Sequence, residues 1–272
     1  MMSSAPFSPT FVELVAAYQN TAEHNDALHQ NLTDATWSDP LLAAHRRHVE
    51  TRQLGFGDPA FHAMWARLLD TAAENFGEVR TLEIGVFKGQ VISLWSLLAR
   101  ARDLSVKISA ISPLAGQPMP RHSRLVRWLR YRLDQKFRER LDNGDFYAVE
   151  DYERIIREHF AHHGLDSAPV RFHRGYSTDP VLLAGMKDET YHIVYVDGDH
   201  TLAGAQHDFA TFGPKVAPGG WLIADDAGCD LPGSTFWKGH RAVSEAVRDL
   251  PSLGFSNVLN VGHNRIYQRN PR

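Results

Sequence analysis

Apolar residues follow two different periodicities along the chain. In the first part they recur at helical spacing, as in Phe11–Tyr18 and in a longer segment that begins at Asp58-Pro59 and ends near Gly77. Aspartate is a favourable N-cap and proline suits the first helical position, so the longer segment is predicted to be a helix. We expect residues 1–78 to form an N-terminal helical region without strands.

From residue 79 onward, short apolar segments alternate with segments of helical periodicity. The predicted strands are Arg80–Ile84, Val106–Ile111, Val170–His173, His192–Val196, Trp221–Ala224, Ser256–Val261 and Asn264–Gln268, and the predicted helices are Gln90–Arg102, Leu202–Phe212 and Gly239–Leu250. Such alternation is typical of a parallel sheet covered by helices. Gly262-His263 predicts a tight turn before an antiparallel last strand. We therefore expect an α/β domain over residues 79–272.

A strongly basic segment interrupts this alternation between the second and third strands, within an insertion at about residues 115–165. Arg121–Arg140 contains seven arginines and one lysine against two acids. Six apolar residues lie on one helical stripe: Leu125, Trp128, Leu129, Leu133, Phe137 and Leu141. The segment is predicted to be one amphipathic helix with a solvated basic face. A lid or an oligomer contact remains an alternative, and homo-oligomerisation is left open.

Composition narrows the class of protein. The chain has 272 residues, with 29 Lys+Arg against 32 Asp+Glu, so a generally basic nucleic-acid binder is not expected. Its only cysteine, Cys229, excludes an intrachain disulfide and a Cys-rich zinc site. Met1–Asn20 lacks the features of a signal peptide, and no apolar run has the roughly 20 residues that a membrane helix needs. We expect a cytoplasmic protein that binds neither membranes nor nucleic acid.

The first motif with chemical potential is Glu83-Ile-Gly85-Val-Phe87-Lys-Gly89, where a strand ends and a helix begins. Glycines there let the backbone approach a ligand closely, and the helix N-terminus offers free N–H groups. Phe87 stands where the dinucleotide-binding motif has glycine, so the segment is not that motif. Taken alone, it is also compatible with a glycine turn that serves only packing.

Acidic residues follow two later strands. Asp197-Gly198-Asp199-His200 comes after one apolar strand, and Asp225-Asp226 comes after the next. Ligands of open α/β sheets bind at the carboxyl edge of the strands, where these carboxylates are expected to converge. Clustered carboxylates repel one another unless a cation neutralises them, and oxygen ligands suit Mg²⁺, Mn²⁺ or Ca²⁺. The sequence therefore predicts a divalent metal site, with polar turns as the alternative reading.

Together, these three motifs resemble those of the metal-dependent class I S-adenosylmethionine O-methyltransferases. The resemblance covers about residues 79–269 and is strongest to the bacterial natural-product branch, which includes enzymes that methylate sugar hydroxyls of antibiotics. Catechol and caffeoyl-CoA methyltransferases resemble the chain less, because they commonly have Lys at the position of His200 and Asp-Asn at Asp225-Asp226. The resemblance implies a doubly wound Rossmann-like fold, S-adenosyl-L-methionine as the donor and a divalent metal, with Mg²⁺ as the first choice.

The resemblance also implies roles for individual residues. The donor site would include Glu83, Gly85, Phe87, Gly89, Ser112, Tyr176 and Ser177. The metal would be held by Asp197, Asp225 and Asp226, and His200 would be the general base. Ser112 marks a departure, because the second strand of this fold usually ends in an acid that binds the ribose hydroxyls. Of the metal ligands, Asp225 is the least secure, because adjacent strand residues can point to opposite faces.

The expected reaction is metal-assisted methylation of a hydroxyl on a small molecule, a sugar or polyol of a bacterial natural product. The alternatives are a catechol-type aromatic O-methyltransferase, a metal-independent methyltransferase and a non-catalytic ligand-binding member of the fold. Three further histidines, His159, His162 and His163, are predicted to lie on the solvent-facing side of a helix with no metal role.

Overall fold

The computed structural model describes residues 9–271 and contains all seven predicted strands in one sheet. The strands are β1 (Val79–Ile84), β2 (Val106–Ser112), β3 (Arg171–Arg174), β4 (Tyr191–Val196), β5 (Val216–Ala224), β6 (Phe255–Val261) and β7 (Asn264–Arg269). Their order is β3-β2-β1-β4-β5-β7-β6, and β7 is antiparallel to β5 and β6 whereas the other four ladders are parallel. The prediction of a doubly wound, mostly parallel sheet with a late antiparallel strand is confirmed.

Helices cover both faces of this sheet. They are α1 (Phe11–Ala17), α2 (Ala22–Ser38), α3 (Pro40–Arg52), α4 (Pro59–Phe76), α5 (Gln90–Ala101), α6 (Arg124–Leu133), α7 (Gln135–Asn143), α8 (Tyr152–His162), α9 (Pro180–Gly185), α10 (Leu202–Phe212) and α11 (Arg241–Ala246). Residues 9–78 form four helices and no strand, and they share one core with the sheet, where Trp65 of α4 packs edge-on against Trp95 and Tyr195. The opposite face is covered by α10 and α11.

The register of the central strands brings their carboxyl ends to one level. Ile84 pairs with Val196 in the β1–β4 ladder, and Val196 pairs with Ala224 in the β4–β5 ladder. The next residues continue this alignment, since the Asp197 amide donates to the Ile84 carbonyl at 2.8 Å and the Asp225 amide to the Val196 carbonyl at 3.0 Å. The segments that follow these strands therefore start side by side at one edge of the sheet.

The insertion differs from its prediction. Instead of one helix over Arg121–Arg140, the chain forms α6 and α7, because Asp134 leaves the helical conformation and caps α7 by accepting a hydrogen bond from the Phe137 amide. Phe137 is buried, whereas other members of the predicted stripe are exposed, with Leu125 at 66% and Leu133 at 81%. The predicted helix Gly239–Leu250 is also divided, because α11 gives way to a 3₁₀ helix at Val247.

The prediction of solvent-facing histidines on α8 is wrong for His159, which is buried and lies within hydrogen-bonding distance of the Ser93 hydroxyl. Within the described range, no helix has the length and apolar character needed to cross a membrane. Residues 1–8 of Met1–Asn20, the segment expected to lack a signal peptide, lie outside the described residues.

Candidate active site

A cavity of about 930 Å³ opens at the carboxyl edge of β1, β2, β4 and β5. Ten of the sequence-predicted site residues line it: Glu83, Gly85, Phe87, Ser112, Tyr176, Ser177, Asp197, His200, Asp225 and Asp226. Gly89 does not line the cavity but is the N-cap residue directly before α5, in a left-handed conformation with φ at 87°. The two halves of the predicted site, the turn after β1 and the carboxylates after β4 and β5, thus share one cavity.

The turn after β1 is shaped by two left-handed residues. Gly85 has φ at 95°, and a Cβ atom there would lie 1.7 Å from the backbone oxygen of Asp197. Glycine is therefore required by the close approach of the ends of β1 and β4, independently of any ligand. Phe87 is also left-handed, with φ at 46°, and its ring packs against the rings of Tyr147 and Tyr152 from the insertion.

Two polar side chains in this part of the cavity have unsatisfied atoms. Glu83 Oε2 and Gln90 Oε1 are buried and have no hydrogen-bond partner in the described part of the protein. Burial raises the pKa of Glu83 well above its ordinary value, with the charge of Asp225 adding to the effect. Unsatisfied buried polar atoms are costly, so this corner is suited to a polar ligand. Sequence reasoning missed Gln90, the first residue of α5, although its place beside Gly89 was a usable signal.

The remaining predicted donor residues lie at the ends of β2 and β3. The Ser112 hydroxyl accepts a hydrogen bond from the Leu114 amide at 3.1 Å, so the serine also shapes the turn after β2. Tyr176 is more than half exposed, and the Ser177 carbonyl lies 3.2 Å from His207 Nε2. All three residues line the cavity.

The adjacent acids after β5 face the same imidazole. Asp225 Oδ1 and Asp226 Oδ1 lie 3.4 and 3.5 Å from His263 Nε2. This is possible because Asp226 is left-handed, with φ at 55°, which breaks the strand alternation that would send the two carboxylates to opposite faces. Asp225 Oδ1 is buried and makes no hydrogen bond to the described residues. Both acids are therefore available on one side of the cavity.

Two sets of three side chains here could hold a metal ion. One is His200, Asp226 and His240, and the other is Asp225, Asp226 and His263; in each set the ligand atoms lie within 4.8 Å of one another. Asp197 belongs to neither set, although its Oδ1 atom is 3.5 Å from His200 Nε2. The predicted carboxylates thus share the cavity, but they do not by themselves form one such set. Sequence reasoning missed His240 and His263, which follow Asp226 at a distance along the chain.

The pKa values of the carboxylates and of His200 are raised for different reasons. Burial raises the pKa values of Asp197 and Asp226 well above normal, and the charge of Asp225 raises both further. Burial alone would lower the pKa of His200, but the hydrogen bonds to Asp145 and Asp197 and the charge of Asp226 outweigh burial and raise it. The group has an excess of negative charge that protons partly offset and that a cation would also offset.

His200 is oriented by a residue of the insertion. Its Nδ1 atom donates a hydrogen bond of 2.8 Å to Asp145 Oδ1, and its Nε2 atom faces Asp226 Oδ2 at 3.3 Å. Asp145 lies between α7 and α8, and no local motif marks it in the sequence. The neighbouring acid Asp199 is instead paired with Lys136 at 2.8 Å, and its pKa is lowered because that pairing outweighs burial. Of these two residues after β4, His200 is therefore the one that contacts the carboxylates of the cavity.

The segment after Asp226 contributes two aromatic residues with different roles. Phe236 is buried against His29, so it fixes the segment to α2. Trp237 is largely exposed, lines the cavity and packs edge-on against His240 and His263. The tryptophan thus offers an apolar surface beside the carboxylates.

The family model described as "Methyltransferase domain" matches residues 82–227. The chain belongs to this methyltransferase family. The matched segment begins in β1 and ends just beyond Asp226, so it includes both halves of the cavity. The expectation of a methyltransferase enzyme is thereby confirmed.

Solved structures similar to this methyltransferase share its fold at low sequence identity. The O-methyltransferase NovP is 17% identical over 77% of this chain and 79% of its own, with a TM-score of 0.53. The SAH-bound methyltransferase PaMTH1 of Podospora anserina is 13% identical over 91% and 97%, with a TM-score of 0.54. An O-methyltransferase of Bacillus cereus in complex with SAH is 15% identical over 90% and 98%, with a TM-score of 0.50. Comparison with curated proteins finds no match.

Proposed function

We propose that this methyltransferase transfers the methyl group of S-adenosyl-L-methionine to a hydroxyl oxygen of a small molecule. The observation that carries the proposal is that one cavity joins the turn after β1 to the histidine–carboxylate group after β4 and β5. The first half suits a donor and the second half suits the activation of an acceptor. The whole cavity has a volume of about 930 Å³, near the upper end of the range for small-molecule sites, which fits two ligands bound together.

The donor half fits a ligand with polar and aromatic parts. Glu83 Oε2 and Gln90 Oε1 lack partners and would receive hydrogen bonds from the donor. The ring of Phe87 lines the same region, and Ser112, Tyr176 and Ser177 extend it towards the ends of β2 and β3. The similar structures from Podospora anserina and Bacillus cereus contain SAH, which supports S-adenosylmethionine as the donor.

His200 would remove the proton from the acceptor hydroxyl. Its Nδ1–H is directed to Asp145, so Nε2 would take the proton once a cation on the carboxylates offsets the charge that raises the pKa of His200. A neutral hydroxyl is a poor nucleophile at neutral pH, so a base at this position would favour attack on the methyl carbon. Trp237 would pack against the acceptor and exclude water from this corner.

The donor set also fits a divalent cation. Asp225 Oδ1 is buried without a hydrogen bond, and the crowded carboxylates raise one another's pKa values. Asp197, Asp225 and Asp226 would hold the ion, with His240 and His263 as further candidates. When bound, a divalent cation such as Mg²⁺ would offset the carboxylate charge around His200 and lower the pKa of an acceptor hydroxyl. Adjacent acceptor oxygens, as in a vicinal diol of a sugar or in a catechol, are the groups that such a site would favour.

The acceptor is proposed to be a sugar or polyol of a bacterial natural product, because His200 occupies the position where catechol-type relatives commonly have Lys. A catechol-type aromatic acceptor is the second candidate, favoured by the flat ring of Trp237 at the cavity wall. Three further points stay predictions: a cytoplasmic location, a homo-oligomeric state, and the division of the chain into a helical region (1–78) and an α/β domain (79–272).

The test combines calorimetry with a methyl-transfer assay. S-adenosylhomocysteine should bind, and labelled S-adenosylmethionine should add one methyl group to a diol or catechol in a substrate library. Exhaustive chelation should remove transfer while leaving binding of S-adenosylhomocysteine. Full activity after chelation would establish the metal-independent alternative, and failure to bind S-adenosylhomocysteine would favour a non-catalytic ligand-binding member of the fold.

A further inference from the structure

A second histidine cluster lies away from the active-site cavity, and we term it the remote cluster. Its members are His45, His48, His62, His159, His162 and His163. None of these six residues lines the cavity of about 930 Å³. The cluster joins α3 and α4 of the N-terminal helices to α8 of the insertion.

The inner half of the remote cluster consists of His45, His62 and His159 and is held by hydrogen bonds. His45 Nδ1 lies 2.9 Å from His62 Nε2, and His45 Nε2 lies 3.0 Å from the Ser93 hydroxyl. The same hydroxyl is 2.6 Å from His159 Nε2. These contacts occupy both ring nitrogens of His45 and account for its burial. His62 Nδ1 and His159 Nδ1 are also buried without a hydrogen-bond partner in the described part of the protein, but His45 has no ring nitrogen left to share a ligand with them.

The outer half consists of His48, His162 and His163, whose ring nitrogens have fewer hydrogen-bond partners than those of the inner half. His48, His162 and His163 each place one ring nitrogen within 4.8 Å of the other two. The rings of His48 and His162 are nearly parallel, with centroids 3.6 Å apart. His163 Nε2 is buried and has no hydrogen-bond partner among residues 9–271. Packing does not satisfy this buried nitrogen, which points to a missing ligand.

We propose that His48, His162 and His163 bind a divalent transition-metal ion of the zinc type. Imidazole nitrogens suit Zn²⁺, Ni²⁺, Cu²⁺ and Co²⁺, whereas Mg²⁺ and Ca²⁺ prefer oxygen ligands. Zinc–nitrogen bonds are about 2.0–2.1 Å long, so nitrogens separated by as much as 4.8 Å would have to approach one another by on the order of 1 Å. The side chain of His162 is exposed and free to make that adjustment.

The charge around these residues bears on the strength of binding. Burial, followed by the charges of His162 and Arg52, lowers the pKa of His48, and burial lowers the pKa of His163 to about 4. Neutral imidazole is the form that binds metal. Arg52 and Arg100 oppose a cation nearby, and Glu158, which lines the adjacent cavity with His48 and His162, is already paired with Arg154 at 2.7 Å. That cavity, of about 410 Å³, gives the ion a route to the site.

A metal at this position would join the end of α3 to the end of α8. The same small cavity is lined by Lys88 and Glu150, which form an ion pair at 2.7 Å. Lys88 directly follows Phe87 of the donor turn. The ion would therefore fix the insertion against the N-terminal helices at the outer wall of the donor site. Its expected role is stabilisation of the fold, independent of the chemistry at His200.

Cobalt is a suitable probe, because Co²⁺ bound by imidazoles absorbs visible light. The full chain without a polyhistidine tag would be titrated with Co²⁺ after chelation, in the wild type and in Asp226→Ala, which disables the active-site group. We expect the wild type to bind one equivalent at the active site and one at the remote cluster, and Asp226→Ala to keep only the equivalent at the remote cluster, with its visible bands. His162→Gln should weaken this binding by more than the roughly 10–100-fold that loss of an outer-shell partner costs. Zn²⁺ should displace Co²⁺ and raise the Tm of the wild type.

Controls keep the result specific to these ligands. His24→Gln changes a partly exposed histidine on α2 outside the cluster and should leave the Co²⁺ titration unchanged. His48→Gln provides a second ligand variant, and circular dichroism confirms that each variant is folded. The proposal is overturned if His48→Gln and His162→Gln bind Co²⁺ like the wild type, if Asp226→Ala alone abolishes binding, or if the wild type binds none.

Discussion

Histidines occupy two regions of this methyltransferase with opposite electrostatic surroundings. His200 lies among Asp145, Asp197 and Asp226, and these contacts outweigh burial to raise its pKa. In the remote cluster, burial, reinforced by neighbouring histidines or by Arg46, lowers the pKa values of His62 and His159 to about 3. The same residue type is thus held charged in one region and neutral in the other. A histidine's chemistry follows from the residues that surround it, many of them distant in sequence.

The largest expected effect comes from Asp226, which belongs to both candidate ligand sets in the active site. Asp226→Ala should reduce methyl transfer to background, because it removes a shared carboxylate and a negative charge beside His200. Its fold should survive, since the substitution relieves repulsion among buried acids. Transfer would be followed with labelled donor and the fold by thermal unfolding. Retained activity in Asp226→Ala would contradict the assignment of the carboxylates.

His200→Ala should lower turnover by roughly 100- to 10,000-fold, the usual range for loss of a general base. Binding of S-adenosylhomocysteine should change little, because the donor half of the cavity is formed mainly by the segments after β1, β2 and β3. His162→Ala in the remote cluster is the matched comparison and should leave turnover near normal at 25 °C. Near-normal turnover in His200→Ala would mean that another group takes the proton.

Asp145→Asn should lower turnover less than His200→Ala does, by about 10- to 100-fold, because His200 itself stays in place as the base. Asp145 touches His200 and acts by fixing its ring, so it is a positioning residue. The variant should lower kcat more than it changes KM. It should also move the acidic limb of the pH–rate profile to lower pH, because removal of the carboxylate charge lowers the pKa of His200. An unchanged pH profile would show that Asp145 serves only the fold.

The sheet and its loops could be predicted because their signals are local. Each strand is a short apolar run, and the acids follow the strands directly, as with Asp197 after β4. Asp145 and His263 could not be predicted in the same way, since they reach the site only through the folding of distant segments. The prediction of one helix over Arg121–Arg140 was wrong because Asp134 ends α6 and caps α7, although the helical periodicity continues on both sides of it.

Two other predictions, for His159 and Gly85, used a real sequence pattern but explained it differently from the structure. His159 lies on the same α8 stripe as Ile156 and Phe160, which are both buried, so its burial could have been predicted from spacing. Gly85 lines the cavity, but Gly85→Val would place a side chain against the Asp197 carbonyl. That variant would disturb the β1–β4 junction, so loss of donor binding in it would not by itself locate the donor.

The last prediction uses pH, because the two regions respond to acid with opposite signs. In the folded protein the pKa of His62 is about 3 against an ordinary 6.5, so the unfolded chain takes up the proton more readily. The stability from neutral His62 is complete above pH 6.5 and is lost as pH falls towards 3. Asp226 has a raised pKa, so its contribution is present below its unfolded pKa and is lost as pH rises through its folded value.

Urea unfolding between pH 7.5 and 5, with chelator present, would separate these contributions. We expect His62→Gln, whose amide can keep a hydrogen bond to His45, to unfold with a weaker dependence on pH than the wild type. The difference in slope is limited to about 1.4 kcal/mol per pH unit, the value for one proton. Asp226→Asn should change the slope in the opposite direction, and His24→Gln should leave it unaltered. Parallel slopes for His62→Gln and the wild type would show that the remote cluster is not held neutral by burial.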